Sequence, residues 1–106
     1  MEVVWSDIAL ECLAETIDYT YDTFGERQVN TMLAKIESAV KRIQTFPTSA
    51  PILPEAEKIG KCYRNIQIEH TLRLIYVATD NLITILFVGN NYKDLTNVIK
   101  RISQLR

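Results

Sequence analysis

One histidine, one tryptophan, two cysteines, three glycines and three prolines are spread over 106 residues. Each scarcity closes off a class of protein. So little glycine and proline excludes collagen-like and low-complexity architectures, and an apolar content of 47% sets the chain apart from disordered sequences. Cys12 and Cys62 form no CxxC pair and read as two reduced thiols of a cytoplasmic protein. His70 falls in a turn signal with no Cys or His beside it to complete a ligand set, so neither a metal nor a cofactor is expected. No apolar run approaches the roughly 20 residues of a membrane span. The start, MEVVWSDIALE, has no basic region ahead of an apolar core, so no signal peptide is expected. The length corresponds to one domain, 1–106, with a core modest enough for a partner to add stability.

Charge is present in both signs but unevenly placed. Residues 1–57 carry ten acids against four bases, a net of −6, while residues 58–106 carry eight bases against three acids, a net of +5. The basic half suits an anionic partner; the alternative is a set of solvated helix faces that happen to be acidic. If the basic half is the docking surface, the partner either is less acidic than usual or contacts mainly that half.

Hydrophobic periodicity divides the chain. "VVW" at 3–5 reads as a short strand, and Ser6 as an N-cap with Asp7 in the first turn. Leu10, Leu13, Ala14, Ile17, Tyr21 and Phe24 recur at helical spacing and form one expected face, stopped by Gly25. A second helix from Glu26 carries Val29, Met32, Leu33, Ile36, Val40 and Ile43 on one stripe. The prolines of "FPTSAPILPE" (46–55) mark a loop. Strands are expected at 61–68, 71–79 and 82–88, then a helix over 94–106 with Leu95, Val98, Ile99, Ile102 and Leu105 as its stripe. The order β-α-α-β-β-β-α, a helical hairpin on a mostly antiparallel sheet, is α+β architecture.

Arg73 is the anomaly, a permanent charge inside "TLRLIYVAT". If Glu69-His70 is a two-residue turn, Arg73 lies opposite Ile66 and Arg64 opposite Ile75, so the two arginines share a face. Leu82, Thr84, Leu86 and Val88 join them through the turn at Asp80-Asn81. The other face then carries Tyr63, Leu72, Leu74, Tyr76, Ile83, Ile85 and Phe87, and takes the helical hairpin. One extra residue in either turn reverses the corresponding relation. Two arginines among Ile66, Ile75, Val77, Leu86 and Val88 suit an anion, because guanidinium forks match carboxylate or phosphate oxygens. The alternative is that each pairs with a helix carboxylate or reaches water at the sheet edge. The apolar part of this face needs a cover, either the C-terminal helix or a partner chain.

The order "YRN…LRLIYVATDNLITILFVG" behind a helical hairpin with "FGERQ" and a "TFP" loop resembles the RelE/ParE superfamily of type II toxin–antitoxin toxins, also called plasmid-stabilisation proteins. The resemblance covers most of the chain. It implies a small cytoplasmic α+β toxin in a stress-response or plasmid-stabilisation system. Its partner would be a cognate antitoxin, as a toxin dimer or a heterotetramer with that antitoxin, with no membrane. The superfamily divides into ParE-like proteins that poison DNA gyrase and RelE-like proteins that cut mRNA on the ribosome. For a RelE-like nuclease the resemblance implies Arg73, Arg64, Tyr92 and Lys93 as the catalytic set, with the cations stabilising phosphorane charge. The partner surface expected from the register is the face with Arg64, Arg73, Ile75, Val77, Leu86 and Val88. Asn90 and Asn91 stand where a His or Arg would complete a nuclease, and the sequence pI is about 5.8, whereas RNA affinity rests on neutralising phosphate. Both favour the ParE-like reading, with a RelE-like endoribonuclease and a degenerate, non-toxic antitoxin-binding homologue as alternatives.

Overall fold

The structure, a computed structural model, describes residues 1–90 and 94–104. Chain order is β1 (Glu2–Trp5), α1 (Asp7–Phe24), α2 (Glu26–Thr45), α3 (Pro54–Glu57), β2 (Arg64–Glu69), β3 (Leu72–Thr79), β4 (Leu82–Asn90) and α4 (Leu95–Ser103). This is the expected α+β order with a short helix added in the proline-rich segment. The sheet runs β1-β4-β3-β2, with β1 parallel to β4 and the other pairs antiparallel. No described helix is long and apolar enough to cross a membrane.

Local signals act where the sequence puts them. The Ser6 hydroxyl accepts from the Ala9 N–H at 3.0 Å and starts α1. Gly25 stops it with φ of 90°, a left-handed value open to glycine, and its N–H donates to the Tyr21 carbonyl. Asp80 takes φ of 49° in the β3–β4 turn, a region that Asp tolerates better than most residues. The Asp94 carboxylate accepts from the N–H groups of Thr96 and Asn97 and starts α4.

The sheet is covered on both sides. Met32, Ile36 and Ile43 of α2 and Ala9 of α1 pack on Leu72, Leu74, Tyr76, Ile83, Ile85 and Val88. On the other face Ile99 and Ile102 of α4, with Leu53 and Ala56, pack on Tyr63, Ile75, Leu86 and Phe87. The α2 stripe follows its expected set, but the α1 stripe is rotated. Ala9, Cys12 and Thr20 are the buried positions, while Leu10, Tyr21 and Phe24 are exposed by half or more. An 18-residue helix with apolar residues around most of its circumference does not declare a single core direction.

Register supplies the other corrections. The β2–β3 turn is His70-Thr71, with Glu69 opposite Leu72. A bulge between Gln67 and Glu69 leaves Ile68 as the extra residue, so Arg64 faces Tyr76, Ile66 faces Leu74 and Gln67 faces Arg73. The Gln67 side-chain amide stabilises this irregularity, donating to the Glu69 carbonyl at 2.6 Å and also reaching those of His70 and Leu72. The Asp80-Asn81 turn is as expected. Further along, a shift between Ile75 and Tyr76 places Ile85 opposite Tyr76 but Phe87 opposite Ile75. Leu86 and Phe87 therefore both join the α4 side, and Val88 turns to the hairpin side. Tyr63, Phe87, Ile66 and Val88 thus lie on the faces opposite to those expected.

Candidate functional site

The two arginines that were expected to act together are separated by the sheet. Arg64 lies opposite Tyr76 on the hairpin side; Arg73 lies opposite Gln67 and Gly89 on the α4 side. They do not converge on one anion.

Arg64 is engaged inside its own fold. Its Nη1 donates to the Ala50 carbonyl at 2.7 Å and the Thr48 carbonyl at 3.1 Å. Beside it the Tyr76 hydroxyl donates to the Pro47 carbonyl at 2.7 Å. Pro47, Thr48 and Ala50 belong to the segment between α2 and α3, so the "YR" arginine and the "RLIY" tyrosine together hold that segment against the sheet. The segment continues along β2: the Leu53 N–H donates to Tyr63, the Asn65 N–H donates to Pro51, and Ile52 bridges Arg64. Part of an otherwise open sheet edge is thereby paired. Burial pushes the phenols of Tyr76 and Tyr63 above their ordinary range, and the nearby Arg64 charge opposes the shift at Tyr76.

Arg73 is half-buried at the end of the α4 face, beside Ile75 and across from a glycine. The ring of Phe87 crowds Gly89: a Cβ there would meet the Phe87 Cζ at 2.7 Å, so the ring or the strand would have to shift. Tyr92 and Lys93, the other two members of the expected catalytic set, lie outside the described residues. Of the expected partner surface, Ile75 and Leu86 are buried beneath α4 and Val77 packs at the margin of that cluster. The chain's own C-terminal helix is the cover. Arg101 of α4 is tied back to Glu11 of α1 by a 3.0 Å ion pair, exposed enough to contribute little.

A second feature was not anticipated. Toward the Gly25 end of the hairpin lies a cleft of about 570 Å³ lined by Tyr19, Phe24, Met32 and Leu72, with Glu15 and Glu69 among its polar walls. Its signal in the sequence was the surplus of apolar residues on α1, more than one face can bury.

No protein-family model and no curated protein matches the sequence. Among solved structures the chain is similar to one from the "Chromosomal ParDE TA system from P. aeruginosa", with a TM-score of 0.66 and 18% identity over 85% of this chain and 95% of that one. At that identity the likeness is one of fold, and it agrees with the α+β architecture expected from the sequence.

Proposed function

We propose that the chain is the toxin of a type II toxin–antitoxin system, of the ParE-like kind, which acts by binding DNA gyrase and is held by a cognate antitoxin in the cytoplasm. The observation that carries this reading is the fold shared over nearly the whole length of a ParDE-system chain. The sheet geometry supports a binding mode over RNA cleavage. A phosphorane needs cations converging on one point, whereas Arg64 and Arg73 lie on opposite faces and Arg64 already donates to two backbone carbonyls.

Induction of the chain in a bacterial host tests the reading. A gyrase poison gives filamentous cells and a DNA-damage response, and the purified chain inhibits supercoiling by gyrase in vitro. An immediate halt in translation with cleaved mRNA would instead identify a ribosome-dependent nuclease. Normal growth, with a purified antitoxin complex still forming, would identify a non-toxic homologue.

A further inference from the structure

We propose that the outer edge of β1 pairs antiparallel with the same edge of a second copy of this chain, joining the two sheets into one across a two-fold axis at Val4.

The backbone sets the kind of occupant. The Glu2 N–H donates to the Asn81 carbonyl at 3.3 Å and the Ser6 N–H to that of Ile85 at 3.0 Å, so the even-numbered residues of β1 hydrogen-bond to β4. Alternation turns the N–H and C=O groups of Val3 and Trp5 the other way, off the end of the sheet. Among the described residues nothing pairs with them. The opposite edge is blunted by its own chain. The 51–53 segment lies along the start of β2, the bulge at Ile68 interrupts it, and Lys35 pairs with Glu69 at its end. β1 has no proline, lysine or bulge to keep another strand off.

Register selects a second copy as that strand. A two-fold axis at Val3 would call on the Met1 carbonyl, which already accepts from the Gln44 Nε2 at 3.0 Å. An axis at Val4 needs only Val3 opposite Trp5 of the second copy and the reverse, each pair exchanging both of its hydrogen bonds. The side chains agree. Val3 and Trp5 are half-buried at the margin of the hairpin-side core, and across the axis they make β-branched–aromatic pairs. On the other face Val4, 37% exposed in the single chain, meets its own copy at the closer, non-hydrogen-bonded spacing. Glu2 falls opposite Ser6 and Asp7 opposite Met1, so no carboxylate faces another. An edge that matches itself in hydrogen bonding, shape and charge is an isologous interface.

Sedimentation equilibrium of the full chain over about 5–500 µM should show a reversible monomer–dimer equilibrium, as expected of an interface below about 1,200 Å². Val4→Lys sets like charges face to face on the axis and should weaken the dimer about tenfold or more. In a Cys62→Ser background, Val4→Cys should give a disulfide-linked dimer under oxidised glutathione, because non-hydrogen-bonded partners stand about 4.5 Å apart at Cα, within disulfide reach. Glu2→Cys, which lies opposite Ser6 and not its own copy, should not. The Val4→Cys link decides the matter even if Val4→Lys lowers the stability of the single chain. A chain that stays monomeric throughout and does not link through Val4→Cys overturns the inference. So does a dimer indifferent to Val4→Lys and not linked through Val4→Cys, which would use another surface such as the exposed Tyr21 and Phe24. A monomer whose Val3 and Trp5 amides become protected from hydrogen exchange only when an antitoxin is added also overturns it, because the edge would then belong to that partner.

Discussion

Removing the Arg64 side chain is expected to unfold the protein earlier before it affects any partner. In Arg64→Ala, the Ala50 and Thr48 carbonyls lose donors at 2.7 and 3.1 Å. A hydrogen bond from a charged group contributes about 1.5–3 kcal/mol. The Thr48 bond is exposed and water replaces it; the Ala50 bond is partly buried and water replaces it poorly. The loss should therefore be about 2 kcal/mol, mostly from Ala50. For a domain near 100 residues this lowers the melting temperature by roughly 8–10 °C and the urea midpoint by about 1–2 M. Thermal and urea unfolding followed by Trp5 fluorescence would measure it. Tyr76→Phe removes the neighbouring bond to Pro47 and should cost about 1 kcal/mol. Because both side chains hold one segment, the double variant should depart from additivity by about 0.5 kcal/mol or more. An Arg64→Ala chain that melts within about 2 °C of the parent, the range of an inert surface change, would refute the bracing role. If it also lost toxicity or antitoxin affinity, Arg64 would belong to the functional surface after all.

Other expectations follow from the packing. Ile102→Ala, at a site 2% exposed beneath α4, should cost about 2–4 kcal/mol in urea unfolding. Gly89→Ala forces a methyl against the Phe87 ring and should cost about 1–3 kcal/mol; pairing it with Phe87→Leu should recover part of that loss. Alkaline pH should destabilise the fold. The phenols of Tyr63 and Tyr76 keep their protons in the fold beyond the pH near 10 at which the unfolded chain gives them up, so the stability they confer is intact below about 10 and is lost as pH rises past it. Urea midpoints between pH 8 and 11 would show a fall, and a smaller one in Tyr76→Phe.

The elements were legible because each is marked by more than one signal. Ser6 and Gly25 bound α1, the α2 stripe repeats for about four turns, and Asp80-Asn81 lies between two apolar runs. What periodicity could not resolve was direction. On α1, Tyr21 and Phe24 continue the spacing of Leu13 and Ile17 yet stand in solvent, Phe24 at the lining of the cleft. The cover over Ile75 and Leu86 was legible only as a choice between the C-terminal helix and a partner, and Ile99 and Ile102 take that place.

The arginines show how far one residue can move a functional argument. Strand side chains alternate with period two, so a single unpaired residue reverses every relation beyond it. Ile68 is that residue in β2, and nothing in "NIQIEH" distinguishes a bulge at Ile68 from a tight turn at Glu69-His70. The distinguishing interaction is the Gln67 amide reaching the Glu69, His70 and Leu72 carbonyls, a side-chain bond that no apolar pattern records. Its consequence is chemical. Arg64, moved to the hairpin side, meets the carbonyls of Thr48 and Ala50 and becomes part of the scaffold. Arg73 stays on the α4 side, at the end of the sheet from which the chain leaves β4. A charge placed in an apolar strand requires compensation: Arg64 finds it in the Thr48 and Ala50 carbonyls, while Arg73 lies at the margin of the α4 cluster, with polar Gln67 and side-chain-free Gly89 as its cross-strand neighbours. A variant that removed the Ile68 bulge would carry Arg64 across the sheet to Arg73 and strip the 47–50 segment of its donor, so the anion site that spacing alone suggests is reached only by dismantling the fold that supports it.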